Sequence, residues 1–382
     1  MELSVVIVNY KVRYFLELCL QSVQDAIVDL DAEIIVVDNA SSDDSCSMVR
    51  HKFPSITLIE NKDNLGFSKA NNIGVAFAKG KYVLILNPDI VVAENTFVKA
   101  LEFVKKQQNF GALGVKLIDG VGRFLPESKR GIPTPKVSFY KLFGKSVGKY
   151  YANHIGENES GKVDVLVGAF MLMERTVYNE VEGFDEAYFM YGEDIDLSYK
   201  ILKKGYENYY FSGTQVIHYK GESTVKDAKY LYYFIDAMKI FYKKHFSSNV
   251  FYDFMMKLGL KFWYLFKFFG FKRKAKMTES SKNVLCLCVE NDIVVNLQKI
   301  ETIKNVVEFN NTNDIAELKN CIQTNNINEI VFDNNYLTYL EIIELINELK
   351  QEDLTFKINP KNTNFIIGSN SSETRGELII LN

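Results

Sequence analysis

The apolar and polar positions of this chain fall into short buried runs that end on polar side chains. Residues 3–8 (LSVVIV) are a β-branched run that stops at Asn9, the pattern of a buried strand. A helix is predicted over 13–26, and a second buried strand over 34–37 stops at Asp38-Asn39. The polar stretch 41–44 suits a helix start, with the helix running towards Lys52. A short strand over 57–60, a helix over 67–79 and a buried strand over 82–86 follow, the last closed by Asn87-Pro88-Asp89. Strands alternating with helices indicate βαβ units and a parallel sheet. Ligands of such sheets sit beyond the carboxyl ends of the strands. Three of those ends carry Asn9, Asp38 and Asp89, where a nucleotide is expected.

Residues 119–162 are rich in Gly, Lys, Pro and Tyr and read as a mobile loop region. An apolar strand with a Gly-Ala interruption is expected over 163–174, and an acidic cluster followed by a helix over 184–204. A strand over 208–219 contains His218, and a helix rich in Tyr and Phe covers 227–245. Residues 250–276 are densely aromatic and hold the sole Trp, Trp263, with seven basic residues and one acid. Lys257, Lys261 and Lys267 interrupt the apolar run, so a basic amphipathic helix lying in a membrane interface fits better than a spanning one. The final hundred residues change character. They hold 19 Asn, and strands at 284–289, 306–309, 329–332, 355–358 and 365–367 with helices at 313–325 and 338–350 predict a second, smaller α/β unit.

Charge follows the same division. The formal net charge of −3 is a cancellation between +5 on residues 1–282 and −8 on residues 283–382. The basic residues cluster in the aromatic segment, which gives nucleic-acid binding little support. A length of 382 residues, with 47% hydrophobic and 24% charged, excludes global disorder, collagen and a disulfide scaffold. Five cysteines without metal spacing fit a reducing cytoplasm, and no secretory signal is read in the opening MELSVVIVNY.

Several positions carry candidate chemistry. Asp38 can accept from a base or ribose donor. Gly66 permits close backbone approach at the start of a helix, whose N–H groups favour a diphosphate. Asn71 and Asn72 are poor interior helix residues, so both need a contact to a ligand or a neighbouring loop. Asp89 suits a hard divalent cation shared with phosphate oxygens. Glu193, Asp194 and Asp196 place three acids in four residues, enough for one carboxylate to take a hydroxyl proton. His218 ends an apolar strand downstream, whereas His51, His154 and His245 sit among charged or loop residues and read as surface.

The ordered segments VVIVNY, VVDNASSD, NLGFSKANNIG, LILNPD, GAFMLMER, GFDEAYFMYGEDIDL and VIHYKGEST closely resemble family 2 glycosyltransferases, in the bacterial rhamnosyltransferase-like branch. The resemblance covers about residues 1–246. It implies a GT-A fold with a Rossmann-like mixed sheet, a nucleotide-sugar donor and inversion of configuration. It further implies that Asn9 and Tyr10 lie at the base or ribose, that Asp38 contacts a uracil or thymine with Asn39 beside it, and that Asn64, Gly66, Asn71 and Asn87 line the donor site. Asp89 and His218 then hold Mg²⁺ or Mn²⁺, Lys220 and Ser223 approach phosphates, Gly168 and Ala169 line the acceptor side, and Asp194 is the base with Glu193 next to it. The implied partners are a dTDP- or UDP-sugar donor, a glycan or polyprenyl-linked acceptor, and a membrane surface met through residues 250–276. The implied place is the cytoplasm, peripheral on the inner face of the plasma membrane.

The expected organisation is thus a catalytic domain over 1–246, a basic aromatic helix and linker over 247–282, and an accessory α/β domain over 283–382. The segment FKINPKNTNFIIGSNSS resembles part of the nucleotide-binding-like domain that precedes the catalytic part of some polyprenyl-phosphate sugar transferases. No G-x-G-x-x-G follows its first strand, so interaction or regulation is expected of it rather than dinucleotide binding. Two other functions compete. A sugar nucleotidyltransferase needs a Gly-rich basic loop after the first strand, and VVIVNYKVRYF has no glycine. A non-catalytic nucleotide-sugar-binding scaffold would not need Asp38, Asp89 and Asp194 together.

Overall fold

The computed structural model describes all residues except 136, 138–146, 221–227, 247–280, 289–290, 313, 352, 370–375 and 382. The basic aromatic segment 250–276 and Ser223 therefore lie outside the described residues. Among the described residues, no helix is long and apolar enough to cross a membrane.

The first unit is built on β1 (Leu3–Asn9), β2 (Ala32–Asp38), β3 (Thr57–Glu60), β4 (Tyr82–Leu86), β5 (Ile90–Val91), β6 (Phe110–Ile118), β7 (Gly161–Val163), β8 (Phe170–Glu174) and β9 (Glu207–His218). Their order is β3-β2-β1-β4-β8-β6-β9-β5, with β7 on β9. The first four strands pair in parallel, as the alternation predicts. The sheet becomes mixed at β8, which runs antiparallel to both β4 and β6. Both faces are covered, so β1, β4 and β6 are buried along their whole lengths. Helices α1 (Arg13–Ala26), α2 (Ser45–Lys52), α3 (Phe67–Phe77), α4 (Thr96–Val104), α5 (Arg175–Glu180), α6 (Glu193–Lys203) and α7 (Ala228–His245) pack in this unit, with a further short helix at Val147–Tyr150.

The paired asparagines of α3 serve the scaffold. Asn72 Nδ2 donates to the Phe184 carbonyl at 2.9 Å, and its Oδ1 accepts from Tyr178 Oη at 2.6 Å and Phe184 N at 3.0 Å. His245 is a correction to the sequence reading. Its ring is only 4% exposed, and Nε2 lies 2.5 Å from Asp196 Oδ1. Asp196 also accepts from Lys244 Nζ at 2.9 Å, so the third acid of the cluster fastens α7 to α6.

A second sheet has the order β11-β10-β12-β13-β14-β15, from β10 (Lys282–Leu287), β11 (Ile303–Phe309), β12 (Glu329–Asp333), β13 (Thr355–Asn359), β14 (Phe365–Gly368) and β15 (Glu377–Ile380). Helices α8 (Asn291–Gln298), α9 (Ile315–Thr324) and α10 (Tyr339–Leu349) accompany it. The carboxyl end of β10, the switch point where such sheets take ligands, is bridged by a side chain. Tyr336 Oη donates to the Asn310 carbonyl at 2.7 Å, tying the loop after β12 to the end of β11.

The two sheets share one hydrophobic cluster. Phe15, Leu18, Ile217 and Tyr219 of the first unit pack with Phe332, Tyr339, Ile346 and Phe365 of the second. Arg13 stacks its guanidinium over Tyr14, 4.2 Å from the ring centroid, and Tyr14 meets Phe365 edge-on at 4.9 Å. Gly120 fits beneath this seam because a Cβ there would stand 2.7 Å from the Ser369 carbonyl.

Candidate active site

The carboxyl ends of β1, β2 and β4 and the first turn of α6 open onto one cleft of about 440 Å³. Tyr10, Asn39, Asn64, Gly66, Asn87, Asp89, Gly168, Ala169, Glu193, Asp194 and His218 all line it. Asn9, Asp38 and Asn71 are buried and are not among the lining residues. Asn9 Nδ2 donates to Asp38 Oδ1 at 2.7 Å, and the other Asp38 oxygen accepts from Ser41 N at 2.8 Å. Asn71 Nδ2 turns back to the Phe67 carbonyl at 2.9 Å. These three residues form a layer beneath the wall.

Beyond the end of β2, Asn39 Nδ2 donates to the Gly66 carbonyl at 3.0 Å and Asn61 Nδ2 to Asn39 Oδ1 at 2.9 Å. Gly66 has φ +82° and ψ 174°, a conformation left almost entirely to glycine. A Cβ there would stand 2.5 Å from the Phe189 carbonyl. That carbonyl accepts from Phe67 N at 2.8 Å, and Gly66 N donates to Asn64 Oδ1 at 3.0 Å. The start of α3 is thus clamped onto the loop that precedes α6, and these two N–H groups are already used.

Asp89 and His218 meet because β5 pairs with the end of β9, Ile90 opposite His218, with Tyr219 N donating to the Asp89 carbonyl at 3.0 Å. His218 Nε2 lies 3.4 Å from Asp89 Oδ1 and 3.4 Å from Asn87 Nδ2. Both side chains are buried, and Asp89 Oδ1 and His218 Nδ1 have no hydrogen-bond partner. A buried carboxylate oxygen facing imidazole Nε2 at this distance suits a divalent cation, whereas the unpartnered Nδ1 is a different ring atom from the one that meets Asp89. Among the described residues no third His, Cys, Asp or Glu joins them, so diphosphate oxygens and water would fill the remaining positions. Lys220 is ion-paired to Glu127 in the same cleft. Burial alone would raise Glu127, yet the Lys220 charge holds its carboxyl below the ordinary value.

Where α6 meets the cleft stand Glu193 and Asp194, 7% and 8% exposed. Gly192 at φ +78° sets the turn into α6 that presents them. Asp194 Oδ2 accepts from Arg130 Nη2 at 2.6 Å and from Gly168 N at 3.2 Å. Glu193 Oε2 has no partner. Burial, and then the neighbouring Asp194 charge, push the Glu193 carboxyl up to about 8. Tyr150, Met190, Tyr191, Phe234 and Met238 give the cleft an aromatic and thioether lining.

The sequence reading did not find Arg130. It lies in the stretch taken for a mobile loop, yet it is 8% exposed and Lys129 beside it 4%. Its only signal was a basic pair, Lys129-Arg130, before Gly131. The contribution of α7, through Phe234 and Met238, was equally invisible, since a Tyr- and Phe-rich helix reads as core.

Residues 4–181 match the family described as Glycosyl transferase family 2. This part of the chain is a family 2 glycosyltransferase domain. It is similar in sequence to bacterial rhamnosyltransferases, and its sheet is mixed. The chain is 27% identical over 241 residues to the N-acetylglucosaminyl-diphospho-decaprenol L-rhamnosyltransferase of Mycobacterium tuberculosis, covering 59% of this chain and 78% of that one. It is 29% identical over 175 residues to the rhamnosyltransferase WbbL of Escherichia coli, covering 40% of this chain and 61% of that one. Among solved structures, S. aureus TarS 1–349 in complex with UDP-GlcNAc is 18% identical with a TM-score of 0.45, covering 72% of this chain and 77% of that one.

Proposed function

We propose that this glycosyltransferase transfers a sugar, with inversion, from a nucleotide-diphosphate donor to a hydroxyl of a glycan or polyprenyl-linked glycan in cell-surface polysaccharide synthesis. dTDP-rhamnose is the first donor to test, with UDP-hexoses next. One observation carries the reading: a single cleft is lined by both the Asp89–His218 pair and the Arg130-bound Asp194. The names of the two rhamnosyltransferases similar to this chain support the donor, and the decaprenol diphosphate in one of them supports the acceptor.

In this reading Tyr10, Asn39, Asn64 and Gly66 hold the nucleotide, and Asn9, Asp38 and Asn71 fix that wall from behind. Asn87 stands between nucleotide and diphosphate, and Gly168 and Ala169 form the floor under the acceptor. Asp89 and His218 would hold Mg²⁺ or Mn²⁺, which when bound neutralises the charge of a leaving diphosphate. Asp194 accepts the acceptor hydroxyl proton as that oxygen attacks the anomeric carbon. The bond to the diphosphate breaks on the opposite face. Lys220 exchanges Glu127 for a diphosphate oxygen.

We read residues 1–246 as the catalytic domain, 247–282 as a helix and linker that rest on the inner face of the plasma membrane, and 283–382 as an accessory domain. The protein is then cytoplasmic and peripheral. The test is calorimetry of dTDP-rhamnose and UDP-GlcNAc with Mg²⁺ or Mn²⁺, repeated on Asp89→Ala. Binding of one donor, weakened about tenfold or more by the substitution, is the expected result. Failure of a panel of nucleotide sugars to bind with the cation present overturns the reading.

A further inference from the structure

Arg130 is anchored before its side chain does anything. It follows the 3-10 turn Pro126–Ser128, and its backbone pairs both ways with Val165, N to O and O to N, each at 2.9 Å. Its guanidinium then spans two places. Nη2 donates to the Leu166 carbonyl and to Asp194 Oδ2, both at 2.6 Å. Asp194 Oδ2 takes a second bond from Gly168 N, and Oδ1 takes one from Ile195 N at 2.8 Å. Asp194 therefore has three donors, while Glu193 Oε2 beside it has none.

Two adjacent carboxyl groups, each more than nine-tenths buried, do not readily ionise together, because each charge opposes the other and neither is well solvated. The donors distinguish the two, since three reach Asp194 and none reaches Glu193 Oε2. One guanidinium contact, from Nη2, reaches the Asp194 carboxylate and the other the Leu166 carbonyl, so the charged donor is held in place against that carboxylate. We propose that Arg130 is the positioning residue of this pair: its Nη2, with Gly168 N, holds the Asp194 carboxylate in one orientation, while Glu193 Oε2 is left without such a donor. The proposal rests on the reading of Asp194 as the base. The elevated Glu193 carboxyl accords with it. The titratable and charged groups around the pair are Arg130, Tyr150 beside the guanidinium, and Tyr188 on the loop before α6.

The experiment uses the full chain and follows nucleotide-diphosphate release from dTDP-rhamnose and from UDP-GlcNAc. Arg130→Met should lower kcat by about 10² or more, with donor KM within about threefold. The acid limb of its pH–rate profile should move up by about one pH unit or more. Arg130→Lys keeps the charge without the fork. It should lose about tenfold in kcat and leave the acid limb in place. If Arg130→Met does not fold, the lysine variant decides alone, and a wild-type kcat with a displaced limb overturns the proposal. An activity-independent arm follows ¹³C-carboxyl NMR titration, with Asp194→Asn and Glu193→Gln assigning the signals. The carboxyl signals of the pair should titrate at a different pH in Arg130→Met than in wild type. Unchanged titration in that variant overturns the proposal. Near-normal turnover in Asp194→Asn removes the base itself. A dead Asp194→Asn beside an unaffected Arg130→Met removes only the inference about Arg130.

Discussion

The Glu94 carboxylate caps α10 at Tyr339, across the seam between the two units. Its oxygens accept from Tyr339 N at 2.7 Å and Leu340 N at 2.8 Å. Thr338 and Glu341 form a capping box at the same helix end, so the first turn is supported from both units. Glu94→Ala leaves two N–H groups of a buried seam without their charged partner. A loss of about 1–3 kcal/mol is expected from urea denaturation, with Glu94→Gln falling between. An unchanged midpoint in the alanine variant would show that this contact does not hold the seam.

Gly66 predicts a local defect with a functional readout. Alanine must adopt a backbone conformation costing about 1–3 kcal/mol and push against the Phe189 carbonyl. Gly66→Ala should weaken nucleotide binding by calorimetry at a temperature where circular dichroism still reports a folded chain. Native affinity in that variant would mean that the Gly66–Phe189 contact is not part of the donor wall.

Glu193 gives a pH dependence of known sign. Its folded-state carboxyl is raised to about 8 from an ordinary value near 4.5, so the folded state binds the proton more tightly than the unfolded chain. The associated stability is fully present below about pH 4.5 and is lost as pH rises through 8. Wild type should therefore lose melting temperature relative to Glu193→Gln between those limits. A difference that stays flat from pH 5 to pH 8 would refute the shift.

Asp194→Asn should reduce transfer by about 10²–10⁴ while nucleotide-diphosphate affinity changes little, since the carboxamide is close in shape but cannot take the proton. Calorimetry with UDP and with dTDP, run beside the rate measurement, separates the two effects. Loss of affinity in parallel with loss of rate would assign Asp194 to binding.

Much of the scaffold was legible because strands and helices announce themselves locally. The helix over 13–26 and the strands over 57–60 and 82–86 have the predicted bounds. The fully buried strand Phe110–Ile118 was missed, since its glycines and lysine interrupt the apolar run of a strand that packs on both faces. His245 was misread for a similar reason: charged neighbours in sequence suggested solvent, whereas Asp196 on another helix holds the ring inside.

Local residue patterns place Asn9, Asp38 and Asp89 at the ends of apolar strands and an acid pair, Glu193-Asp194, at a helix start. Those features are written within a few neighbouring residues, where periodicity and end chemistry act. Tertiary structure alone decided that Arg130 reaches Asp194 across 64 positions of sequence, that Asn9 and Asp38 support the wall rather than line it, and that Phe15 and Tyr219 share a core with Phe332 and Phe365. Such pairings depend on how whole elements pack, and local spacing carries no record of which distant donor will meet a buried carboxylate.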